Sequence, residues 1–531
     1  MQDELNVNNF EKITTEETRQ RNLHDDNDND GDNEHNDEEK KLGTSELSGL
    51  DVPADREKNL VSWDNDDDPA NPLNFSLIRK WVATLITSTG ALCVACSSSI
   101  YTAAYPGIEK EFGCKEIEAI TGLTLFVFGM GAGPMFYSPL SEFFGRRIIY
   151  LLSFAFFLAF QFPVAFGKNI EAILINRLLS GLAGSAFMAV AGGTVSDCFV
   201  KEKLGAPMMV FTAAPFLGPS LGPLFGNFIA HRLSWRWIIY VMIIWTGVML
   251  ILIFFFVPET YSPVLLRWKA QRLRKQTGNQ ELYAPIETLD RSIMGTVVFS
   301  CKRPFQLLFL EPMVFSLCLY TAILLGINYL FFQAFPLVFM NNHGFERQHV
   351  GLPFLGLFVG VILGVSTEHV WRKKYARLAE SHGGARPEFR LPQAMVGSIF
   401  CPIGMFWFAF TTYKSVHYIV PILSGVPFGL GIILVFSGVF TYLVEAYRPY
   451  SASALAANGF LRSSFAAAFP LFSVSMYDNL GYAWASALLA FLTLACVPLP
   501  FLFYRFGERL RRRSKFAWSA DVDQKKRKEV L

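Results

Sequence analysis

The chain has 531 residues, of which 52% are hydrophobic, 15% aromatic and only 17% charged. This composition excludes a set of ordinary soluble domains, because long apolar blocks with so few charges are typical of helices in lipid. The net charge of +2 hides an asymmetry, since 22 of the 45 acidic residues lie among the first 68 positions. The remainder is basic, as expected when loops face an anionic cytoplasmic membrane surface.

The N-terminal segment, residues 1–75, is predicted to be a disordered acidic tail in the cytoplasm. Residues 25–39 hold nine acids in fifteen positions and no large apolar side chain, so they cannot form a core. Pro69 and Pro72 would end any helix before the membrane is reached. The chain opens polar and acidic, unlike a secretory signal peptide, so the first membrane span is expected to act as the insertion signal.

Twelve apolar blocks follow, each long enough to cross about 30 Å of hydrocarbon. Six form a predicted first half, residues 76–257, with spans at 81–103, 120–140, 148–167, 171–195, 206–229 and 237–257. A cytoplasmic central loop, residues 258–310, precedes a second half, residues 311–505, with spans at 311–335, 350–370, 392–412, 416–443, 451–475 and 483–504. A basic cytoplasmic tail, residues 506–531, follows. The predicted fold is an all-α membrane protein with twelve transmembrane helices in two six-helix halves.

The distribution of lysine and arginine predicts the orientation of these spans. With both termini in the cytoplasm, the inner loops and the C-terminal tail hold 29 of these residues and the outer loops hold 7. The positive-inside rule favours that orientation over its inverse. Two halves of six spans suggest internal duplication. A short echo supports it, because Arg146 follows Glu142 by four residues, as Arg372 follows Glu368.

The segment from Ser138 to Arg147, SPLSEFFGRR, resembles the signature of the loop between helices 2 and 3 in the major facilitator superfamily. That signature is usually written GxLaDrxGrk, and here Ser138 replaces its first glycine and Glu142 its aspartate. A carboxylate at one helix end and arginines at the next can latch the cytoplasmic side and release it during transport. A cluster that only sets orientation is the alternative. The predicted cytoplasmic gate comprises Glu142, Gly145, Arg146, Arg147, Asp197, Glu368 and Arg372.

Arg177 lies inside the fourth predicted span. A charge within the membrane is costly unless it is paired or hydrated, so such residues usually mark a transport pathway. The stretch from Ile173 to Gly181 resembles the fourth-helix motif lxxxRxxqG of the same superfamily, with Ser180 in the usual glutamine position. The alternative is an arginine that extends from a helix end to the membrane surface.

The fifth predicted span resembles the antiporter motif gxxxGPxxGG of this superfamily, with Ala214 and Pro223 as departures. Small residues at every fourth position strip one helix face of side chains and let another helix approach. The prolines provide kinks that a moving helix can use. The resemblance implies export in exchange for protons, and a purely structural interface is the alternative. The motif residues are Pro215, Gly218, Pro219, Gly222 and Pro223.

The segment after the sixth span gives a narrower resemblance. Residues 257–270, VPETYSPVLLRWKA, resemble the PETYxPxLLxxKA run of fungal twelve-span drug:proton antiporters, a group that includes yeast multidrug and polyamine exporters. Residues 448–450 and 456–462 are similar to the same group. The resemblance covers roughly residues 70–515 and leaves the acidic tail outside it.

Polar and aromatic groups on apolar helices are the expected lining of a cavity between the halves. Arg462, in span 11, could bind an anionic group, pair with Glu445, or extend to the membrane surface. No Asp or Glu lies in the middle of spans 1, 4, 5, 7 or 11, so proton coupling rests on the resemblance, without an identified carrier. The scarcity of carboxylates favours an apolar or weakly cationic drug over a polyamine. The predicted transport pathway comprises Arg177, Tyr101, Phe211, Phe216, Asn328, Tyr329, Gln333, Asn458 and Arg462.

The residues and the resemblance predict a transporter that exports drugs or other small organic compounds by proton antiport with alternating access. A proton-coupled uptake transporter for a nutrient or polyamine and a receptor-like membrane sensor are the alternatives. An enzyme is not expected, because no phosphate-binding loop, HExxH motif or nucleophile–base pair is found. The expected partners are a small-molecule substrate, protons and membrane lipid, with no nucleic acid, cofactor or metal. We expect a monomeric, multi-pass protein of the plasma membrane with both termini cytoplasmic, and the vacuolar membrane stays open as an alternative.

Overall fold

Polar caps and glycines set the ends of the helices that the apolar blocks form. The Ser76 hydroxyl accepts a hydrogen bond from the N–H of Arg79 at the start of the first long helix. Gly344, with φ of +66°, ends another helix in the left-handed conformation that favours glycine. The computed structural model describes residues 59–65, 67–200, 203–288, 293–382, 384–514 and 516–517.

In the described residues the first half contains nine α-helices, several of which are consecutive pieces of one membrane pass. They are α1 (Leu77–Ile100), α2 (Tyr105–Phe112), α3 (Glu116–Ala132), α4 (Pro134–Phe144), α5 (Arg146–Phe166), α6 (Ile170–Gly184), α7 (Ala186–Cys198), α8 (Gly205–Arg232) and α9 (Arg236–Phe256).

The central loop and the second half follow the same pattern. The central loop holds α10 (Ser262–Thr277) and α11 (Ile293–Leu310). The second half consists of α12 (Pro312–His343), α13 (Phe354–Ser366), α14 (Glu368–Ser381), α15 (Leu391–Thr411), α16 (Ile419–Leu423), α17 (Gly425–Ala446), α18 (Ser451–Leu480), α19 (Tyr482–Cys496) and α20 (Pro498–Arg513).

The span count agrees with the predicted topology. Among the described residues ten helical segments are long and apolar enough to cross a membrane, or eleven if α3 and α4, bent by 41°, form one span. The remaining predicted span, 451–475, falls on α18, which has 30 residues and is therefore long enough to cross. Its serines, Asn458 and Arg462 make it more polar than the other spans. The observed helices are thus consistent with twelve spans in an all-α fold.

Direct helix contacts within and between the halves position the pathway. The helix α8 packs along α1 and α12 packs along α18, while α3 on α18 and α8 on α13 join the two halves. Between α3 and α18, the Thr124 hydroxyl donates to the Ala467 carbonyl at 2.8 Å. A Cβ added to Gly351, just before α13, would lie 2.5 Å from the carbonyl oxygen of Pro223 in α8. The halves therefore touch through backbone as well as side chains.

Some predicted boundaries need correction. The predicted span 350–370 is shorter in the structure, because α13 ends at Ser366 and the polar helix α14 continues the chain. The central loop, for which no helices were predicted, contains α10 and α11. Its helix α10 has Pro263 in its first turn and ends at Gly278, with φ of +70°. Both signals are typical of helix ends, and they are visible in the sequence.

The prediction of disorder for residues 1–75 is corrected from Val61 onward, where a compact unit begins. The Val61 N–H donates to the Tyr283 carbonyl at 2.9 Å, and its side chain packs against Ala270 and Ala284 of the central loop. Residues 61–65, 67 and 68 are called the N-terminal strap below. The same prediction for residues 1–58 falls outside the described residues.

The acidic residues of the N-terminal strap have a basic partner on α10. The Lys269 ammonium lies 2.7 Å from the Asp64 carboxylate and 3.4 Å from that of Asp68, and it donates to the Ser62 carbonyl at 3.0 Å. The hydrogen bonds and the small apolar cluster together hold the strap on the central loop. Composition alone predicted a disordered segment, because it takes no account of partners such as Lys269, which lies 201 residues after Asp68.

Candidate functional site

Arg177, on α6, is only 3% exposed and is held by backbone carbonyl groups. Its guanidinium donates to the carbonyl oxygens of Gly122 at 3.2 Å, Ser97 at 3.0 Å and Ser98 at 3.4 Å. No carboxylate of the described residues forms an ion pair with it. The alternative of an arginine that extends to the membrane surface is therefore excluded. A buried cation without an ion-pair partner is typical of a functional site.

Two aromatic rings complete the surroundings of this arginine. The Arg177 guanidinium lies 4.2 Å from the ring centroids of both Tyr101 and Phe126, a cation–π arrangement. A Cβ added to Gly122 would lie 2.5 Å from the Tyr101 hydroxyl, so the glycine is needed for this ring position. The predicted pathway residues Arg177 and Tyr101 are thus in contact.

A hydrogen bond connects this site to the second half. The hydroxyls of Ser98, on α1, and Tyr329, on α12, lie 3.0 Å apart, and both residues are buried. Since the Ser98 carbonyl also accepts from Arg177, a continuous chain of polar contacts crosses from the first half to the second. A movement of one half against the other would therefore change the contacts of Tyr329.

Several predicted pathway residues lie on the same helix, α12, or face it. The hydroxyl of Tyr101 and the side-chain nitrogen of Gln333 are buried and have no hydrogen-bond partner among the described residues. Such atoms are rare inside proteins, and they have hydrogen-bonding capacity left for a substrate. Asn328, next to Tyr329, is half-buried. These positions stay predictions as substrate contacts.

The second half contributes Asn458 and Arg462 from α18. The Asn458 amide donates to the Thr321 hydroxyl at 2.7 Å and ties α18 to α12. The Arg462 guanidinium lies 5.4 Å from the ring centroid of Phe436 and 5.2 Å from that of Phe440, both on α17. Each half thus holds one arginine against aromatic rings at membrane depth.

The helix α8 lies directly on α1 because one of its faces carries almost no side chains. A Cβ added to Gly218 would lie 2.5 Å from the Ala95 Cβ, and Gly222 approaches Ser99 as closely. The Ser99 hydroxyl also donates to the Gly218 carbonyl at 3.2 Å. This contact fixes the part of α1 whose carbonyl groups receive the buried arginine. The small-residue face therefore has a positioning role as well as a packing role.

The three prolines of α8 lie inside the helix, whereas its Phe216 contacts the second half. Pro219 and Pro223 are buried, Pro215 is half-buried, and all three lie inside one continuous helix. The Phe216 ring lies 5.0 Å from that of Phe436 on α17, which brings α8 against the second half.

Phe211 lies near the end of α7 and packs against a small cluster there as well as against the main core. It packs with Met208 against a small cluster formed by Val195, Cys198 and Phe199 at the end of α7. This location is near the loop between α7 and α8 instead of the buried arginine on α6. The structure does not bring Phe211 together with Arg177.

At the predicted cytoplasmic gate, Glu259 caps the start of α5. Its carboxylate accepts hydrogen bonds from the backbone N–H groups of Arg146 at 2.9 Å and Arg147 at 3.1 Å. It also accepts from the N–H groups of Thr260 at 3.0 Å and Tyr261 at 2.9 Å. A carboxylate at a helix N-terminus is favoured by the helix dipole and satisfies otherwise free donors. The segment leaving α9 is thereby fixed to α5.

Gly145 makes this cap possible. Its φ of +94° lies in the region that favours glycine, and an added Cβ would collide with the Glu259 carboxylate. The glycine of the loop signature and the glutamate of the segment after α9 are therefore parts of one structure.

The arginine side chains of the gate pair within the first half. The Arg146 guanidinium lies 3.3 Å from the Asp197 carboxylate at the end of α7 and 4.6 Å from the Tyr261 ring centroid. The Arg147 guanidinium donates to the Phe254 carbonyl at 2.7 Å. In this structure the partners of the Arg146 and Arg147 side chains belong to the first half and to the segment that follows α9.

The second half repeats the pair of Arg146 and Asp197 with Arg390 and Glu445. Arg390, just before α15, lies 2.7 Å from the Glu445 carboxylate at the end of α17. Its guanidinium also lies 3.5 Å from the Tyr375 ring centroid. Glu445 is thus engaged by Arg390, and the predicted alternative in which it pairs with the arginine of α18 is not observed. The repeat supports an internal duplication.

The spacing of Glu368 and Arg372 matches that of Glu142 and Arg146 in the sequence, but the contacts of the two pairs differ in the structure. The Glu368 carboxylate accepts from the Gln393 amide at 3.0 Å and from the Ser437 hydroxyl at 3.3 Å. The Arg372 guanidinium lies against the backbone of Gly205 at the start of α8, where an added Cβ would collide with it. Arg372 is therefore not the counterpart of Arg146, although Arg372, in the second half, does reach Gly205 of the first half.

A cavity of about 490 Å³ lies between α4 of the first half, α18 of the second half and the central helix α11. This volume is within the range of sites that hold drug-sized molecules. Among the residues that the structure describes, Glu142 is the only charged one that lines the cavity, and the remaining surface is mainly apolar with a few hydroxyl groups. The lining residues are Pro134, Met135, Ser138, Pro139, Glu142, Gly295, Thr296, Phe299, Ser300, Ala452, Ser453 and Ala456.

Comparison with known sequences decides the family. Residues 87–470 match the sequence profile of the Major Facilitator Superfamily. The chain belongs to this superfamily. It is therefore a multi-pass membrane transporter protein, and the predicted resemblance is confirmed.

Relatives within the Major Facilitator Superfamily carry exporter names. The efflux pump atB of Aspergillus terreus is 49% identical over 465 residues, which cover 86% of this chain and 90% of atB. The probable drug/proton antiporter YHK8 of Saccharomyces cerevisiae is 42% identical over 443 residues, which cover 83% of this chain and 86% of YHK8. Among solved structures, the Escherichia coli xylose transporter XylE aligns with a TM-score of 0.55 at 17% identity, over 80% of this chain and 99% of that one. At that identity the likeness shows the shared fold.

Some residues of this Major Facilitator site were not predicted as site residues. Ser97 and Ser98 act through backbone carbonyl groups, which leave no mark in a sequence. Glu259 lies in residues 257–270, the segment that carries the narrower resemblance, but the motif did not indicate that this glutamate caps α5. Arg390 lies beyond a polar helix, where the sequence echo did not extend.

Proposed function

We propose that this chain exports small organic compounds in exchange for protons, with substrate held between the two halves. The observation that carries the proposal is that both halves contribute to the buried polar contacts near Arg177 and to the lining of the cavity. Arg177 contacts Ser98, Ser98 contacts Tyr329, and the cavity beside Glu142 is lined from both halves. The relatives named as an efflux pump and a drug/proton antiporter support the direction and the coupling. They give no support to uptake or sensing.

The substrate class follows from the cavity lining. Glu142 is the one carboxylate among the described lining residues, and this lining, which is otherwise largely apolar, favours an apolar or weakly cationic compound. A polyamine carries several charges and would need several carboxylates to replace its hydration. We therefore place drug-like molecules before polyamines among the substrates to be tested.

The proton pathway is proposed to include Asp197. The carboxylate oxygens of Glu259 accept hydrogen bonds from backbone N–H groups and hold the start of α5. Asp197 has Arg146 as its ion-pair partner and only a long contact, 3.5 Å, from the Thr260 hydroxyl. Exchange of a proton at Asp197 would release Arg146 and so couple protonation to the gate.

The orientation that we propose in the membrane is the one predicted from the basic residues of the loops. The excess of lysine and arginine in alternate loops supports cytoplasmic termini. We propose the plasma membrane as the location, a monomer as the working unit, and lipid as the surroundings of its apolar helices. Substrate movement in sealed vesicles, with and without an imposed pH gradient, tests direction and coupling together.

A further inference from the structure

The end of α20 combines a basic sequence with a serine that has a defined structural role. Arg511, Arg512 and Arg513 directly precede Ser514, the first residue after the helix. The Arg512 side chain is 60% exposed and can therefore be reached by another protein. An exposed arginine two positions before a serine suits a kinase whose substrate groove is acidic, whereas Arg511, three positions before it, is buried in an ion pair with Glu388.

The Ser514 hydroxyl holds together the turn that follows α20. It accepts hydrogen bonds from the N–H groups of Phe516 at 3.1 Å and Ala517 at 2.9 Å. It donates its own proton to the Glu311 carboxylate at 2.8 Å. One hydroxyl thus closes the turn and fixes it to the start of α12.

The contacts of Glu311 and Phe516 link this turn to the connection between α17 and α18. Glu311 is 6% exposed and also accepts from the Tyr447 hydroxyl at 3.2 Å. The Phe516 ring packs against that of Tyr450, with 5.7 Å between centroids. Arg303 of α11 also contacts Tyr450, with its guanidinium 4.1 Å from the ring centroid. The turn therefore touches α12, the α17–α18 connection and, through Tyr450, the helix that walls the cavity.

We propose that Ser514 is a phosphorylation site for an arginine-directed serine kinase, and that its phosphorylation releases residues 514, 516 and 517 from Glu311 and Tyr450. In this step the Ser514 oxygen forms a bond to the γ-phosphorus of ATP, and the bond from that phosphorus to the β,γ-bridging oxygen breaks. ADP leaves, and the hydroxyl proton passes to the catalytic carboxylate of the kinase. The cytoplasmic location of Ser514 rests on the predicted orientation.

Phosphorylation would replace the hydrogen bond from Ser514 to Glu311 with a repulsion between two negative charges. The hydroxyl loses the proton that it donates to Glu311, and a phosphate with a charge of about −2 at pH 7 stands beside that carboxylate. Because Glu311 is buried, the repulsion is weakly screened. Release of the turn is therefore favoured over retention.

The first experiment measures phosphate incorporation into the full-length protein in lipid nanodiscs. The catalytic subunit of cyclic-AMP-dependent kinase and ATP are added, and Ser514 occupancy is measured by mass spectrometry. Arg512→Gln should reduce the initial rate by at least about tenfold, because it removes a recognition charge. Arg509→Gln, five positions before the serine and also exposed, should leave the rate unchanged. No phosphate at Ser514 in the wild-type chain would overturn the proposal.

The second experiment measures release of the turn by hydrogen exchange at Phe516 and Ala517. The phosphorylated chain should exchange these amides at least about tenfold faster than the untreated chain. In a Glu311→Gln chain, phosphorylation should have a clearly smaller effect, because the repelling carboxylate is absent. A phosphorylated Ser514 with unchanged exchange, or an equal effect in Glu311→Gln, would overturn the proposed release. Neither readout depends on transport, so the proposed export function is tested separately.

Discussion

The hydroxyls of Ser98 and Tyr329 lie 3.0 Å apart, and their hydrogen bond joins α1 of the first half to α12 of the second. The backbone carbonyl of Ser98 also accepts from the guanidinium of Arg177. In transporters of this fold the two halves rock against each other around a central site. The bond between Ser98 and Tyr329 must therefore change when the halves move, and the buried arginine is one contact away from it.

Arg177→Ala should reduce export by about 100-fold or more while the protein still reaches the membrane. The reason is that three charge-assisted hydrogen bonds of about 1–3 kcal/mol each hold neighbouring helices in position. Arg177→Lys should also fail, since one ammonium cannot reach the three carbonyls that the guanidinium spans. The measurement is export from cells with quantified surface protein. Arg232→Ala, at an exposed arginine, is the control. Normal export from correctly localised Arg177→Ala would refute the assignment.

Asp197→Asn should uncouple transport from the proton gradient. Gradient-driven export should fall by about tenfold or more, because asparagine cannot exchange a proton and no longer pairs with Arg146. Exchange of labelled for unlabelled substrate across the membrane should continue, since it needs no net proton movement. The control is Glu445→Gln, which changes the corresponding carboxylate of the second half. Gradient-driven export at the wild-type rate in Asp197→Asn would exclude this residue as the proton site.

Gly218→Val should destabilise the protein by about 1–3 kcal/mol through overpacking of α8 on α1. An added Cβ would already stand 2.5 Å from that of Ala95. Thermal unfolding in detergent is the measurement. The matched control is Gly247→Val on α9, where an added Cβ meets nothing within 4 Å. Equal stability of the two variants would show that the α8–α1 contact adapts to side chains.

Glu259→Gln should loosen the start of α5 at a cost of about 1–3 kcal/mol. The amide keeps one acceptor oxygen and turns an N–H group toward backbone donors, so at least one of the N–H groups of Arg146 and Arg147 loses its partner. Faster hydrogen exchange at those two amides is the expected result. Glu380→Gln, at an exposed position on α14, serves for comparison. Unchanged protection in Glu259→Gln would mean that the cap contributes nothing.

The N-terminal strap should come free of α10 at low pH. The N–H groups of Ala70 and Asp64 lower the pKa of the Asp68 carboxyl, and Lys269 lowers it further. Because the folded pKa lies below the unfolded value of about 3.9, Asp68 stabilises the strap above that value and the contribution is lost as the pH falls through the folded pKa.

Hydrogen exchange at the Val61 amide, corrected for the intrinsic effect of pH, measures this release. At pH 7, Asp68→Asn should speed that exchange by roughly tenfold, whereas the exposed neighbour Asp67→Asn should not. Protection that is the same in Asp68→Asn and wild type would contradict the role of this carboxylate.

The fold could be predicted because the membrane imposes strict rules on sequence. Only helices satisfy their own backbone groups in lipid, so each apolar block of sufficient length had one available structure. The break between α3 and α4 was less visible, since Pro134 alone does not say whether a helix bends or ends. The strap was missed because composition describes a segment by itself, whereas its order comes from Lys269 and the apolar cluster on α10.

The site could be predicted in part. Arg177 was recognisable because a charge inside an apolar block is costly, but its partners are main-chain carbonyls that every residue possesses. The echo between the halves led to Arg372 because it compared spacing, and the polar helix α14 displaces the true counterpart, Arg390, along the chain. Phe211 and Phe216 are both aromatic and five positions apart, and the sequence does not reveal that the Phe216 ring contacts Phe436 of the second half while Phe211 packs at the end of α7.

The most direct test of the proposed function is movement of a labelled drug in sealed vesicles from a transporter-null host. The panel should include azoles, a cycloheximide-like toxin and spermine, each with and without an imposed pH gradient. The proposal expects an azole or toxin to move against the direction of proton flow, only when the gradient is present, and expects Arg177→Ala vesicles to be inactive. Movement of the compound in the same direction as the protons would contradict antiport, and an absence of movement for every compound would contradict transport of this substrate class.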